Sequence, residues 1–336
     1  MHKHDHHRTG AAPHGHSHGH GAIDPSLMQT EQGMWAVKLS FVLLLLTAGV
    51  QVAVVAASGS VALFADTIHN IGDAFTAVPL WIAFQLARRK PSPRFTYGYG
   101  RFEDLAGVAV VLTILASAVV AGYESINRFF HPQDVKVLWA VAAASVIGFA
   151  GNEAVAVLRI RVGEQIGSAA LVADGYHARV DGLTSLAVLF GAAGMWLGYP
   201  LADPLVGLLI TLLILKITYD SAKAVFARLL DRIEPELVEQ IRRAAGDVAR
   251  VRAVTDIRAR WVGHRIEAEV SVSVASNLSV EEAHAVATDV RHSLLHHVAY
   301  LGNAIVHIDP ETASGNERHR VVAHEHDGLP THSHAA

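Results

Sequence analysis

The chain contains no cysteine, which excludes disulfides, thiolate nucleophiles and Cys-based metal sites. Any metal must therefore be held by imidazole nitrogen and carboxylate oxygen, a donor set that disfavours Cu(I) and leaves Zn, Co, Ni, Cd, Mn and Fe(II) open. Charge is also scarce. Only 17% of the 336 residues are charged, against 51% hydrophobic. A mean hydropathy of +0.31 is too high for an ordinary soluble domain of this length, so the composition reads as an integral membrane protein embedded in the lipid bilayer. There is no Gly-rich loop ending in Gly-Lys-Ser/Thr and no His-Glu-x-x-His pair, so neither a P-loop ATPase nor a metalloprotease centre of that type is present. The first 33 residues are polar and His-rich and do not read as a cleavable signal peptide. The net charge of −4 is split between compartments, and no nucleic-acid partner is expected.

What is abundant is apolar sequence in long runs. Six stretches have the length of a spanning helix: about Met34 to Ala57, Val61 to Leu86, Phe102 to Tyr123, Val137 to Leu158, Gly167 to Leu197 and Leu201 to Phe226. Arg88, Arg89, Lys90, Arg94 and Arg101 lie between the second and third, Arg159 and Arg161 between the fourth and fifth, and Lys223, Arg228 and Arg232 at and after the end of the sixth. The alternate loops carry only Arg128 and Lys136. By the positive-inside rule both termini are cytoplasmic, and spans one to three and four to six form two halves of opposite orientation. The fold class expected is thus an all-α six-helix transporter domain with 3+3 inverted halves, followed by a small α+β domain.

One motif occurs twice, on the middle span of each half. Ala65-Asp66-Thr67-Ile68-His69-Asn70-Ile71-Gly72-Asp73 matches Ala173-Asp174-Gly175-Tyr176-His177-Ala178-Arg179-Val180-Asp181. At helical geometry His69 and Asp73, and likewise His177 and Asp181, lie on one face about a turn apart. Two imidazoles and two carboxylates make the four ligands of a tetrahedral divalent-metal site, and ionisable groups at membrane depth mark a transport pathway or a catalytic centre. Each ligand exchanges a proton as metal arrives or leaves, which is a physical basis for metal/proton exchange. Asp66 and Asp174 sit about 10 Å along the axis from Asp73 and Asp181, too far to share one ion with the full set, and read as structural hydrogen-bonding groups. Asn152 and Glu153 in the fourth span are a further polar pair, open between helix packing and a part in the metal or proton pathway.

After Asp231 the composition becomes that of a soluble domain. A helix from Glu236 to Val248 starts near Pro235, strands Val251 to Trp261 and Arg265 to Val274 flank a Val262-Gly263-His264 turn, Ser279 and Glu282 form a capping box for a helix to about Val298, and Ala304 to Ile308 is a last strand. The chain thus divides into a His-rich disordered tail (1–33), a transport domain (34–230), an α-β-β-α-β domain (231–311) and a disordered tail (312–336). The first tail has His14, His16, His18 and His20 alternating with small residues, and the second has His319, His324, His326, His332 and His334; such tracts bind divalent metal weakly. In the α+β domain His264, His284, and His307 with Asp309 are candidates for a second metal site, the last two because residues two apart on a strand face the same way.

These residues resemble the cation diffusion facilitator family of metal/proton antiporters. The resemblance rests on the six spans, the two Ala-Asp-x-x-His-x-x-x-Asp motifs, Tyr97-Gly-Tyr-Gly-Arg-Phe-Glu entering span three, Leu230-Asp231-Arg232 leaving span six, and a carboxy-terminal domain ending in His307-Ile-Asp309-Pro310. It implies a homodimer that alternates between inward-facing and outward-facing states, with a transport site at His69, Asp73, His177 and Asp181, paired cytoplasmic domains with regulatory metal between them, and an interlocking pair Arg101 and Asp231. The His-Asp pattern on both helices looks like the zinc-preferring one, so Zn(II) is expected as transported substrate rather than resident cofactor, with Co(II), Cd(II) and Ni(II) possible. Departures from the family are the segment Arg88 to Thr96, which holds no metal ligand, and Thr255, which stands where some relatives carry a His. The function expected is efflux of divalent metal against protons across the plasma membrane, without enzymatic activity. Two alternatives stand beside it: a membrane metal sensor and an intramembrane metalloenzyme.

Overall fold

The computed structural model describes residues 25–58, 77–130, 138–199 and 201–313. Among the described residues, helices α1 (Pro25–Ser58), α2 (Ala77–Ala87), α3 (Arg101–Phe130), α4 (Leu138–Ile166), α5 (Ala169–Trp196) and α6 (Ala202–Leu229) form a bundle. Among the described residues α1, α3, α4 and α6 each contain a run long and apolar enough to cross a membrane. α5 has the length, 28 residues, but Asp174, Arg179 and Asp181 interrupt its apolar run. Of the expected second span only α2 is described, and His69, Asp73 and Asp66 lie outside the described residues.

Two boundaries differ from the hydropathy reading. α1 begins at Pro25, so residues 25–33, expected as part of a disordered tail, are helical. Hydropathy marks where a helix enters lipid and not where it starts; Thr30, polar but fully buried, shows what holds the extra turns. α4 likewise runs on to Ile166. Arg159 and Arg161, counted above among loop charges, therefore both lie inside a helix, Arg159 at 1% exposure and Arg161 exposed.

Packing follows small residues. A Cβ on Gly33 would stand 2.7 Å from the Phe84 ring, so α2 seats that ring against the α1 backbone, and one on Gly175 would stand 2.9 Å from the Ile160 backbone nitrogen, so α5 meets α4 at backbone distance. The bundle interior holds Val110, Ile114, Val180 and Ile214 from α3, α5 and α6. Outward-facing Leu46, Val119, Leu209 and Leu212 are more than half exposed, as lipid-facing side chains must be.

The C-terminal domain comprises α7 (Pro235–Gly246), β1 (Val251–Val262), β2 (Arg265–Val274), α8 (Val280–His297), β3 (Leu301–Pro310) and a 3₁₀ turn (Glu311–Ala313). The α-β-β-α-β order matches the sequence reading. The sheet order is β1-β2-β3, with β1 and β2 antiparallel and β2 and β3 parallel, the latter made possible by the α8 crossover. The period-two apolar set of β2, Ile266, Ala268, Val270, Val272 and Val274, is buried, and most of it packs on Ile241 of α7 and Val286, Val290 and Leu294 of α8. Full burial of each large aliphatic side chain contributes about 1.5–3 kcal/mol. Ser279 and Glu282 make the reciprocal capping box at the start of α8.

Candidate metal centre

α5 carries the described half of the duplicated motif. His177 and Asp181 are 1% and 6% exposed, and Nδ1 of His177 lies 3.8 Å from Oδ2 of Asp181. One helical turn brings an imidazole and a carboxylate together inside a bundle formed by α3, α4, α5 and α6. The start of that helix is set by Ser168, whose hydroxyl accepts the Leu171 N–H at 3.1 Å, just after Gly167 turns the chain at a φ of 73°. Glycine accepts that left-handed conformation without penalty.

Asp174, one turn before His177, takes no part in a ligand pair. Its carboxylate is 3.0 Å from Nη1 of Arg159, with both side chains essentially fully buried. A buried carboxylate needs such a partner, because leaving either charge alone at that depth is costly. Sequence reasoning missed Arg159, although a basic residue inside an extended α4 demands an acidic one nearby. Glu153 forms a two-point ion pair with Arg179, at 2.7 and 3.1 Å, on the half-buried flank of the same helix pair. Asn152 beside it is 4% exposed.

The second candidate set is not gathered. His264 is 1% exposed and committed through both ring nitrogens: Nδ1–H donates to Oε2 of Glu103 at 2.6 Å, and Nε2 is hydrogen-bonded with the Thr30 hydroxyl at 3.0 Å. His307 pairs across the sheet with Ser271, six residues along β2 from Arg265, which places it roughly 20 Å from the His264 turn at the rise of a strand. His264 is therefore corrected from metal ligand to interdomain contact. His307 and Asp309 do meet, with Nε2 and Oδ1 3.0 Å apart, while His284 is exposed on α8. Among the described residues no three His, Asp or Glu side chains converge as a metal-binding group.

The β1–β2 turn instead inserts into the end of the bundle that faces the C-terminal domain. Gly263 occupies its first position at a φ of 63°, where a two-residue hairpin places glycine, and a Cβ there would be 2.9 Å from the Gly100 carbonyl oxygen. The Gly263 N–H donates to Asp104 at 3.2 Å, and the Ser168 hydroxyl donates to the other oxygen of Glu103. Arg228 stacks on Trp261 at 4.0 Å and donates to the Gly167 carbonyl. On the rim, Nη2 of Arg101 lies 2.5 Å from Oδ1 of Asp231, the pair expected as an interlock. Asp231 ends α6 in the left-handed region, at a φ of 58°, which Asp tolerates better than most residues. Glu103 stood in the sequence motif without a role; its hydrogen-bond partners, Ser168 and His264, come from two distant segments.

Comparison with known proteins adds the following. Residues 37–230 match the family model described as cation efflux transmembrane domain, and residues 233–311 match that of cation efflux protein, cytoplasmic domain. The probable cation efflux system protein Rv2025c of Mycobacterium tuberculosis is 51% identical over 299 residues, 89% of this chain and 90% of that protein. Metal tolerance protein 2 of Oryza sativa subsp. japonica is 26% identical over 278 residues, 75% of this chain and 72% of that protein. Among solved structures, a cadmium form of the MamM C-terminal domain is 28% identical and covers 23% of this chain and 96% of its own, at a TM-score of 0.23.

Proposed function

The chain belongs to the cation efflux family, also called cation diffusion facilitators, and from that premise we propose that it exports Zn(II) from the cytoplasm in exchange for protons. Family members are transporters, so the chain is an integral membrane transporter of metal cations and not an enzyme. The finer reading is ours: zinc as substrate, protons as counter-ion, a plasma-membrane homodimer with both termini cytoplasmic, and six spans in two inverted halves.

The observation that supports it best is the His177–Asp181 pair. Two groups that change protonation on binding a divalent ion are buried together at 3.8 Å, while the neighbouring Asp174 is already neutralised by Arg159. Of the two carboxylates, Asp181 is the one set beside an imidazole, a pairing that zinc takes as ligands. A neutral imidazole and a carboxylate suit Zn(II), and each metal ion that binds displaces protons the ligands would otherwise hold. His69 and Asp73 complete the four-ligand set in this reading. A regulatory ion in the cytoplasmic domain would draw on His284, His307 and Asp309 together with donors from a second protomer. The rice relative's name, metal tolerance protein, agrees with an efflux role.

The test is zinc flux in proteoliposomes under an imposed pH gradient, with the full chain and with Asp181→Ala. Flux that needs the gradient and disappears in a variant still folded as a dimer upholds the reading. Substantial flux in Asp181→Ala moves the site elsewhere, and indifference to the gradient makes the protein a uniporter or channel.

A further inference from the structure

We propose that Asn152 of α4 is a member of the transport site, its amide set against the Asp181 carboxylate so as to orient that ligand without neutralising it. This rests on the reading of His177 and Asp181 as metal ligands.

The argument is one of register. α4 and α5 lie against each other in opposite directions, and their contacts fix who faces whom. At one level Nη1 of Arg159 meets Asp174 at 3.0 Å. Farther along, a Cβ on Gly148 would stand 2.9 Å from the Ser185 hydroxyl oxygen. Between these two fixed points, seven residues back from Arg159 on α4 is Asn152, and seven residues on from Asp174 on α5 is Asp181. Seven residues are close to two helical turns on either helix, so Asn152 stands level with Asp181 as Arg159 stands level with Asp174. The helices are in ordinary van der Waals contact at that level: a Cβ on Gly182, the residue after Asp181, would lie 3.4 Å from the Asn152 Cβ.

The chemistry differs between the two levels in a way that fits transport. An arginine facing Asp174 forms a permanent ion pair. A cation facing Asp181 would compete with the metal for the same carboxylate. An amide is neutral, and its N–H donates to whichever carboxylate oxygen the metal does not take. Glu153, the next residue, adds no charge to the site because Arg179 holds both of its oxygens. The position thus has a polar group where a leucine would pack equally well, and burying an amide without a polar partner is unfavourable.

The experiment is initial-rate zinc transport by the full chain in proteoliposomes, comparing Asn152→Leu, Asn152→Asp and Asn152→Lys with wild type and Asp181→Asn. Removing a supporting hydrogen bond from a metal ligand weakens metal binding about 10–100-fold, so Asn152→Leu raises KM by that factor with kcat little changed. Asn152→Lys raises KM further, and Asn152→Asp brings it below wild type. A residue that only packs the helices gives no such order by charge. Leucine nearly matches asparagine in shape, so Asn152→Leu carries the test if the lysine variant does not fold. KM values that ignore charge, in a chain that transports zinc and is inactivated by Asp181→Asn, overturn the role of Asn152 and leave the transport reading standing. If wild type moves no zinc, the transport reading fails by itself. Calorimetric zinc binding, taken as the difference from Asp181→Asn, then decides Asn152 by the same order: affinity ranked by charge upholds it, and unranked affinity overturns it.

Discussion

Replacing His264 by alanine should undock the cytoplasmic hairpin from the bundle, and the structure sets the size of the effect. The imidazole is 1% exposed and makes two hydrogen bonds, to the Glu103 carboxylate at 2.6 Å and to the Thr30 hydroxyl at 3.0 Å. A buried hydrogen bond to a charged group contributes about 1.5–3 kcal/mol and a neutral one about 0.5–1.5 kcal/mol. Loss of both, with Glu103 retaining only Ser168, is worth about 3 kcal/mol, or roughly 150-fold in the docked-to-undocked ratio. The Arg101–Asp231 pair is closer, at 2.5 Å, yet its side chains are 37% and 49% exposed, and pairs so solvated contribute about 0.2–1 kcal/mol. The buried histidine, not the rim ion pair, is therefore the stronger fastening. Native-state amide exchange of residues 261–266 in the detergent-solubilised full chain reads this directly. His264→Ala should speed exchange there by roughly 150-fold, and Asp231→Asn by no more than about fivefold. Equal effects of the two variants, or a larger one from Asp231→Asn, would refute the ranking by burial.

Two further outcomes follow from the same kind of weighing. Arg159→Leu strands the Asp174 carboxylate and should cost about 3–5 kcal/mol of stability, whereas Arg159→Leu combined with Asp174→Leu should recover most of it; thermal unfolding in detergent of the two variants separates these results. In the soluble domain, the Ser279 N–H and hydroxyl bonded to Glu282 hold its carboxyl below the usual carboxylate range. A carboxyl lowered by folding contributes stability that is complete above its ordinary pKa and is lost as pH falls through the lowered value. Ser279→Ala should cost about 1 kcal/mol near neutral pH, and part of that difference should fade in acid; chemical unfolding at pH 7 and pH 3 checks both.

The features legible in the sequence share a physical property: each is decided within a few residues of chain. The i, i+4 spacing places His177 over Asp181 whatever the helix packs against. The alternation of β2 fixes which of its faces is buried, and Ser279 with Glu282 specifies a helix start. The inverted charge pattern around the spans is likewise a sum of local choices. Hydropathy failed where the bilayer is not the solvent, at Thr30 and Arg159, because a helix continues past the lipid if protein covers it.

The sequence by itself therefore determined that a His-Asp pair lies on one face of α5 and that an α-β-β-α-β domain follows. Only the tertiary structure decided what those groups face. It gave Asp174 to Arg159, turned His264 from a metal ligand into a buried interdomain bond, and set Asn152 level with Asp181. Such choices depend on the register between helices and on which surfaces meet when residues far apart in the chain pack together, and no local pattern encodes that.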